Sequence, residues 1–195
     1  PGYVEHWSPR ENKDMCASIE WAGVQPWSNG KVGLSGISYY AVNQWKVAEM
    51  APKHLAALCV WEGYSDFYRE LSHNGGIYST FPQNWYDMQI KTVQYGLGTQ
   101  GHRSRMNGDW VSGPETLSEE EMGANRYDLG KFYFEHPLID DYWNAMTADL
   151  AKIKVPLLSA ANWVHQPLHP RGNYEGFMHV NTRHISVGMI RMKQR

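Results

Sequence analysis

The sequence predicts an α/β fold, a partial and mostly parallel sheet flanked by helices and interrupted by a helical insertion. Three observations predict it. Two short apolar runs, starting at Val32 and at Leu55, are separated by one amphipathic helix, the spacing of parallel strands in a βαβ unit. The first run leads into Gly36-Ile-Ser38-Tyr-Tyr40, a turn with a serine at its apex that opens straight into that helix. A third apolar run, Ile153 to Ala161, comes only after a long aromatic stretch of helical texture.

Taken in order, residues 1–9 are turn-rich and read as extended. Ser8-Pro9-Arg10-Glu11 is a helix start, with Ser8 as N-cap, Pro9 at the first helical position and Glu11 three residues after the cap. Met15, Ile19 and Ala22 form one face of this helix, which ends near Gly23. Ser28-Asn29-Gly30 turns the chain into the first strand, Val32 to Leu34. Beyond the serine turn, Ala41, Val42, Trp45, Val47, Ala48 and Met50 recur at helical spacing, and Pro52 stops the helix. Leu55 to Trp61 is the second strand. From Glu62 to Lys152 no clean alternation appears; Phe81–Tyr95 has helical character, Ser118-Glu-Glu-Glu121 is a capped helix start, and Phe132–Ala151 is helical on either side of Pro137. Pro156 stands near the start of the third strand, where a missing N–H is tolerated. A loop over Asn162–Gly172, a helix from Tyr174 to Val180 and a short strand from His184 to Ile190 complete the reading.

With 195 residues the chain is long enough to bury a sizeable core. Nine Trp and twelve Tyr suit pocket walls as well as core packing. A net charge of −2 without a basic block argues against nucleic acid as a partner. No apolar run approaches a membrane span and none resembles a signal peptide, and Cys16 and Cys59 form neither a disulfide framework nor a metal spacing. These features together suggest the cytoplasm, no membrane partner and no cofactor.

Strand, sharp turn with a serine, then helix is the arrangement of a nucleophile elbow. A strained turn lifts the Ser38 hydroxyl above the sheet edge, and a side chain at position 36 would collide with the adjoining backbone, so glycine fits there. The helix beginning past Ser38 turns free N–H groups towards it, and that of Tyr39 is placed to stabilise an oxyanion. Tyr40 stands where G-x-S-x-G has its second glycine. The competing reading is a βα turn whose serine merely caps the helix. Ser35 is a weaker candidate, lying at the strand end without a helix directly after it.

Gly36-Ile-Ser-Tyr-Tyr-Ala-Val-Asn-Gln-Trp45 resembles the elbow of the CocE/NonD hydrolases, the α/β-hydrolase group related to Xaa-Pro dipeptidyl-peptidases. The resemblance extends through Trp7-Ser-Pro-Arg-Glu11, Ile19-Glu-Trp21, Gln25-Pro-Trp27, Trp61-Glu-Gly63, Asn84-Trp-Tyr-Asp87 and Leu168-His-Pro-Arg-Gly172. It implies an α/β-hydrolase fold whose core is residues 1–61 and 153–195, with residues 62–152 as a helical cap. It also implies a serine hydrolase that cleaves an ester or a peptide or amide bond through an acyl-enzyme, on a small-molecule ester or peptide substrate. The family is longer on both sides, so the chain is read as a fragment, and the family's second oxyanion donor, a tyrosine, is expected upstream of Pro1.

A serine nucleophile needs a base and a group that orients the base, in the chain order Ser, then Asp or Glu, then His. The family pattern places an aspartate just after a tryptophan beyond the third strand. Here Trp163-Val164-His165-Gln166 carries no carboxylate. Asp66 or Glu62, past the second strand, are the alternative acids, and Asn162 could orient an imidazole weakly. His184 has the chain order of a base; His169 is a base or a pocket residue. Trp85 and Tyr86 in the insertion, with Trp163, are the candidate substrate pocket. His165 and His169 have i, i+4 spacing, but Pro167 and Pro170 break any helix there, so no metal is expected. The rival reading is a catalytically incomplete, truncated relative without activity. With a doubtful acid and base, weak catalysis or none is expected, and uncovered strand edges should favour self-association into homo-oligomers or aggregates.

Overall fold

The computed structural model describes residues 3, 5–93, 101–111, 118–164, 168–182 and 184–189. They divide into two compact units, one of residues 7–77 and 138–195, the other of residues 1–6 and 78–137. Residues 62–77 and 138–152 thus lie with the sheet rather than with the rest of the expected insertion.

The first unit is built on a four-stranded parallel sheet. Helix α1 (Pro9–Gly23) opens it as the cap residues require: Ser8 is extended and its hydroxyl accepts from Glu11 N. Strand β1 (Val32–Ile37) leads through Ser38 into α2 (Tyr39–Glu49), and β2 (Leu55–Trp61) follows. A π-helix over Phe67–Ser72 and a small hairpin of β3 (His73–Asn74) and β4 (Ile77–Tyr78) lie between the sheet strands. After α7 (Asp141–Met146) and a 3-10 turn at Leu150–Lys152 come β5 (Leu157–Asn162), α8 (Pro170–His179) and β6 (His184–Met189). The strand order is β1-β2-β5-β6, and all pairings in this sheet are parallel.

The core sits between the sheet and its helices. Ile19 of α1, Ala41, Trp45, Val47 and Ala48 of α2, Leu55, Leu58 and Val60 of β2, and Leu157 of β5 pack with Ile153 and Val180. Gln44 and Trp45 tie α2 to the second strand: Gln44 donates to the carbonyls of Tyr40 and Cys59, and Trp45 Nε1 donates to Gly63 O. Asn173 does the same for α8, donating to Val60 O and Ser159 Oγ and accepting from Gly63 N. These bonds fix the ends of β2 and β5 at one edge of the sheet.

Proline sets two of the boundaries that differ from expectation. Strand β5 begins at Leu157 because Pro156, with no N–H of its own, contributes only its carbonyl, which accepts from Leu58 N. Helix α8 begins at Pro170, four residues early, because proline suits the first helical position.

The second unit is helical: α3 (Phe81–Trp85) runs through a π turn at Tyr86–Ile90 into α4 (Lys91–Val93), and α5 (Glu119–Ala124) and α6 (Leu129–Glu135) follow. Helix α5 carries the capping box expected from Ser118 and Glu121. The expected continuation of α4 to Tyr95, and Ile190 beyond β6, lie outside the described residues.

Candidate active site

Ser38 sits between β1 and α2 with φ 58° and ψ −117°, and it is the only serine among the described residues with positive φ. A non-glycine residue holds that conformation only where its surroundings over-determine it. Here Ser38 N donates to Trp61 O of the neighbouring strand, and Ser38 O accepts from Ala41 N and Val42 N as α2 begins. The Ser38 hydroxyl makes no capping bond to the helix, so the plain helix-cap reading does not describe it. A Cβ at Gly36 would stand 2.6 Å from Tyr40 Cβ and 2.8 Å from Tyr40 O, so the turn closes only around a glycine. Ser35 is an ordinary residue of β1, paired with Cys59.

Tyr39 begins α2, among the first-turn residues whose backbone N–H groups find no partner within the helix itself. Its side chain is held separately. The Tyr39 hydroxyl donates to Glu11, 2.8 Å from either carboxylate oxygen, and its ring stacks on Trp7 at 4.4 Å. Glu11 also accepts from Trp7 N at 2.6 Å and from Asn43 Nδ2 at 3.2 Å. Burial first, and then the Glu11 carboxylate, hold the Tyr39 phenol far above its ordinary range, so it stays a neutral donor. Sequence reading gave Glu11 a capping role; its reach to the first turn of α2 has no local signal.

All four strands are parallel, so Ser38 marks the edge where their C-terminal ends emerge. His184 is not at that edge. It pairs with Leu157, Leu157 with Leu58, and Leu58 with Leu34, so His184 lies level with Leu34. Four residues of strand, about 13 Å, separate that level from Ser38. A base must come within hydrogen-bond reach of the hydroxyl, so the strand register argues against His184. Asp66 is engaged elsewhere: one carboxylate oxygen caps the π-helix by accepting from Arg69 N at 2.8 Å, and the other pairs with the Arg69 guanidinium at 2.6 Å. That geometry gives Asp66 the capping role, not that of a free acid.

His169 does stand at the right edge, immediately before α8, buried and stacked on Tyr64 with ring centroids 5.6 Å apart. Glu62, one residue past β2, is also there, buried, with φ 55°; its carboxylate accepts from Asn162 N at the end of β5. Asn162 turns its side-chain oxygen to Val164 N. Trp163, in the loop after β5, is half exposed and packs against Tyr174 at 5.4 Å. His165 lies outside the described residues. Trp85 and Tyr86 belong to the other compact unit, where Trp85 contacts Phe81 and the Lys91 ammonium lies over the Tyr86 ring.

Glu70 of the π-helix anchors the head of α8. Its carboxylate accepts from Asp66 N at 3.1 Å and from Arg171 at 3.3 Å. Burial pushes the Glu70 carboxyl up to about 8, against the lowering pull of Arg171 and of the Gly172 and Ser65 backbone N–H groups. A Cβ at Gly172 would stand 2.5 Å from Tyr64 Cα, so α8 starts in close contact with the segment after β2.

Cys16 and Cys59 are free thiols. Among the described residues no group of three or more His, Cys, Asp or Glu could hold a metal ion, and no helix is long and apolar enough to cross a membrane.

Residues 1–194 match the family model of the X-Pro dipeptidyl-peptidases, S15 family. Two structures of a CocE/NonD family hydrolase from Staphylococcus aureus are similar at 35% and 34% identity, with TM-scores of 0.71 and 0.70. Each match covers 96% of this chain but only 29% of that hydrolase. Acetyl xylan esterase 1 from Thermoanaerobacterium sp. is similar in fold alone, at 13% identity and a TM-score of 0.50, covering 93% of this chain and 48% of the esterase. No curated protein matches.

Proposed function

Since the chain belongs to the X-Pro dipeptidyl-peptidase S15 family and has the α/β-hydrolase fold, we propose that it carries the nucleophile of a serine hydrolase, and that Ser38 is that nucleophile. The observation that carries this reading is the Ser38 backbone. A serine at φ 58° between a parallel strand and a helix, with its hydroxyl making no cap bond, is the arrangement an elbow requires.

Ser38 Oγ attacks the carbonyl carbon of an ester or of a peptide bond, and the developing oxyanion is stabilised by the Tyr39 N–H. His169 is the candidate base, a buried histidine at the sheet edge where Ser38 stands. Attack transfers the Ser38 proton to the imidazole; collapse expels the alcohol or amine, which takes that proton; water then hydrolyses the acyl-enzyme. Trp163, half exposed in the loop after β5, is a candidate wall of the substrate pocket. The family suggests a peptide with a proline second residue, or a small ester, as substrate.

The experiment is turnover by the 195-residue chain of p-nitrophenyl acetate and of an Xaa-Pro p-nitroanilide, beside a Ser38→Ala control. Weak turnover that the substitution abolishes supports the reading. Turnover that survives Ser38→Ala overturns it.

A further inference from the structure

We propose that Glu62 is the carboxylate that orients the base of Ser38. The proposal rests on Ser38 being the nucleophile and addresses what the loop after β5 lacks: Trp163-Val164-His165-Gln166 occupies the place where the related pattern has its acid, and none of these residues carries a carboxylate.

Position is the first argument. Trp61 is paired with Ile37, and Trp61 O accepts from Ser38 N, so Glu62 is the residue directly after the backbone group that holds the nucleophile. Ser38 and Glu62 each stand one residue past the last register pair of adjacent strands, and adjacent strands lie about 4.8 Å apart. Conformation is the second. Glu62 is a non-glycine residue with φ 55°, a left-handed conformation that persists only where the surroundings over-determine it and that is enriched at functional sites. Glycine there would relieve the strain, yet the chain keeps a glutamate.

Burial is the third. Glu62 is 6% exposed, and a carboxyl group so buried needs fixed hydrogen-bond partners. Its backbone N donates to Ala160 O and its carboxylate accepts from Asn162 N. The side chain therefore leans from β2 towards the end of β5, where the loop leading to His169 begins. An orienting carboxylate needs this: held by a backbone donor, excluded from water, and turned to the segment that carries the base. The order Ser38, Glu62, His169 is also the chain order of nucleophile, acid and base in this fold.

Hydrogen bonding and charge can be separated. Glu62→Gln keeps an oxygen to accept from Asn162 N but removes the negative charge. The experiment measures the second-order rate at which a fluorophosphonate probe labels the wild-type chain, Ser38→Ala, Glu62→Gln and Glu62→Asp, with a thermal melt of each. Expected are labelling of the wild type, none of Ser38→Ala, a fall of about 10²–10⁴-fold in Glu62→Gln at an unchanged melt, and partial recovery in Glu62→Asp. Glu62→Gln labelled at the wild-type rate overturns the role of Glu62 and leaves Ser38 standing. A wild type no more reactive than Ser38→Ala overturns both. Should Glu62→Gln fail to fold, Glu62→Gly, whose backbone tolerates the left-handed conformation, takes its place. Its rate should be low and restored by added formate; a wild-type rate, or a low rate that formate leaves unchanged, overturns the proposal.

Discussion

Replacing Glu11 by alanine should loosen the elbow from a distance. The Glu11 carboxylate gathers three donors: Trp7 N at 2.6 Å, the Tyr39 hydroxyl at 2.8 Å and Asn43 Nδ2 at 3.2 Å. Hydrogen bonds to a charged group contribute about 1.5–3 kcal/mol each, and a buried donor left without its acceptor costs about 1–3 kcal/mol. Asn43 is buried and Tyr39 and Glu11 are half-buried, so water replaces part of what is lost. The expected destabilisation for Glu11→Ala is roughly 2–4 kcal/mol. Tyr39→Phe removes one donor and should lose about 1–2 kcal/mol. The double variant should lose less than the sum of the two, with a coupling of about 1 kcal/mol or more, because both substitutions delete the same bond. Urea titration followed by far-UV circular dichroism measures all three, with the slope on denaturant checked for constancy. Glu11→Ala within 0.5 kcal/mol of wild type, or strict additivity, would refute the claim that this carboxylate locks α1 to the first turn of α2.

Three further outcomes follow from the same geometry. Glu70 is protonated more tightly when folded, so its favourable contribution is complete below its ordinary value of 4.5 and is lost as pH rises to about 8. Glu70→Gln should therefore gain about 3–5 kcal/mol relative to wild type between pH 4.5 and pH 8.5, read from urea midpoints; parallel pH curves would contradict this. Gly36→Ala drives a Cβ against the Tyr40 backbone and should lose about 1–3 kcal/mol together with Ser38 reactivity, checked by thermal melting and probe labelling. His169→Phe preserves an aromatic ring over Tyr64 and should stay folded while labelling no faster than Ser38→Ala; full labelling would make His169 a packing residue.

The elbow was legible because its determinants are local: an apolar strand, a glycine where a Cβ would strike Tyr40, and a helix that begins at the next residue. The Ser8 cap, the second strand and the Ser118 capping box were legible for the same reason. The π-helix at Phe67–Ser72 was not, since a wider helical turn stabilised by tertiary contacts has no periodic signature. Strand register was not either. His184 has the right place in the chain order and the wrong level in the sheet, and only the pairing of β6 with β5 separates the two. Glu62 and Asp66 look equivalent in sequence; the structure distinguishes them because Arg69 and the π-helix engage Asp66 while Glu62 leans towards β5.

The central claim is that Ser38 is a reactive nucleophile. Its most direct test is intact-mass and peptide mapping of the 195-residue chain after exposure to a fluorophosphonate. One adduct on the peptide that contains Ser38, absent from Ser38→Ala, is the predicted result. An unmodified chain, or an adduct on another residue that persists in Ser38→Ala, would contradict it.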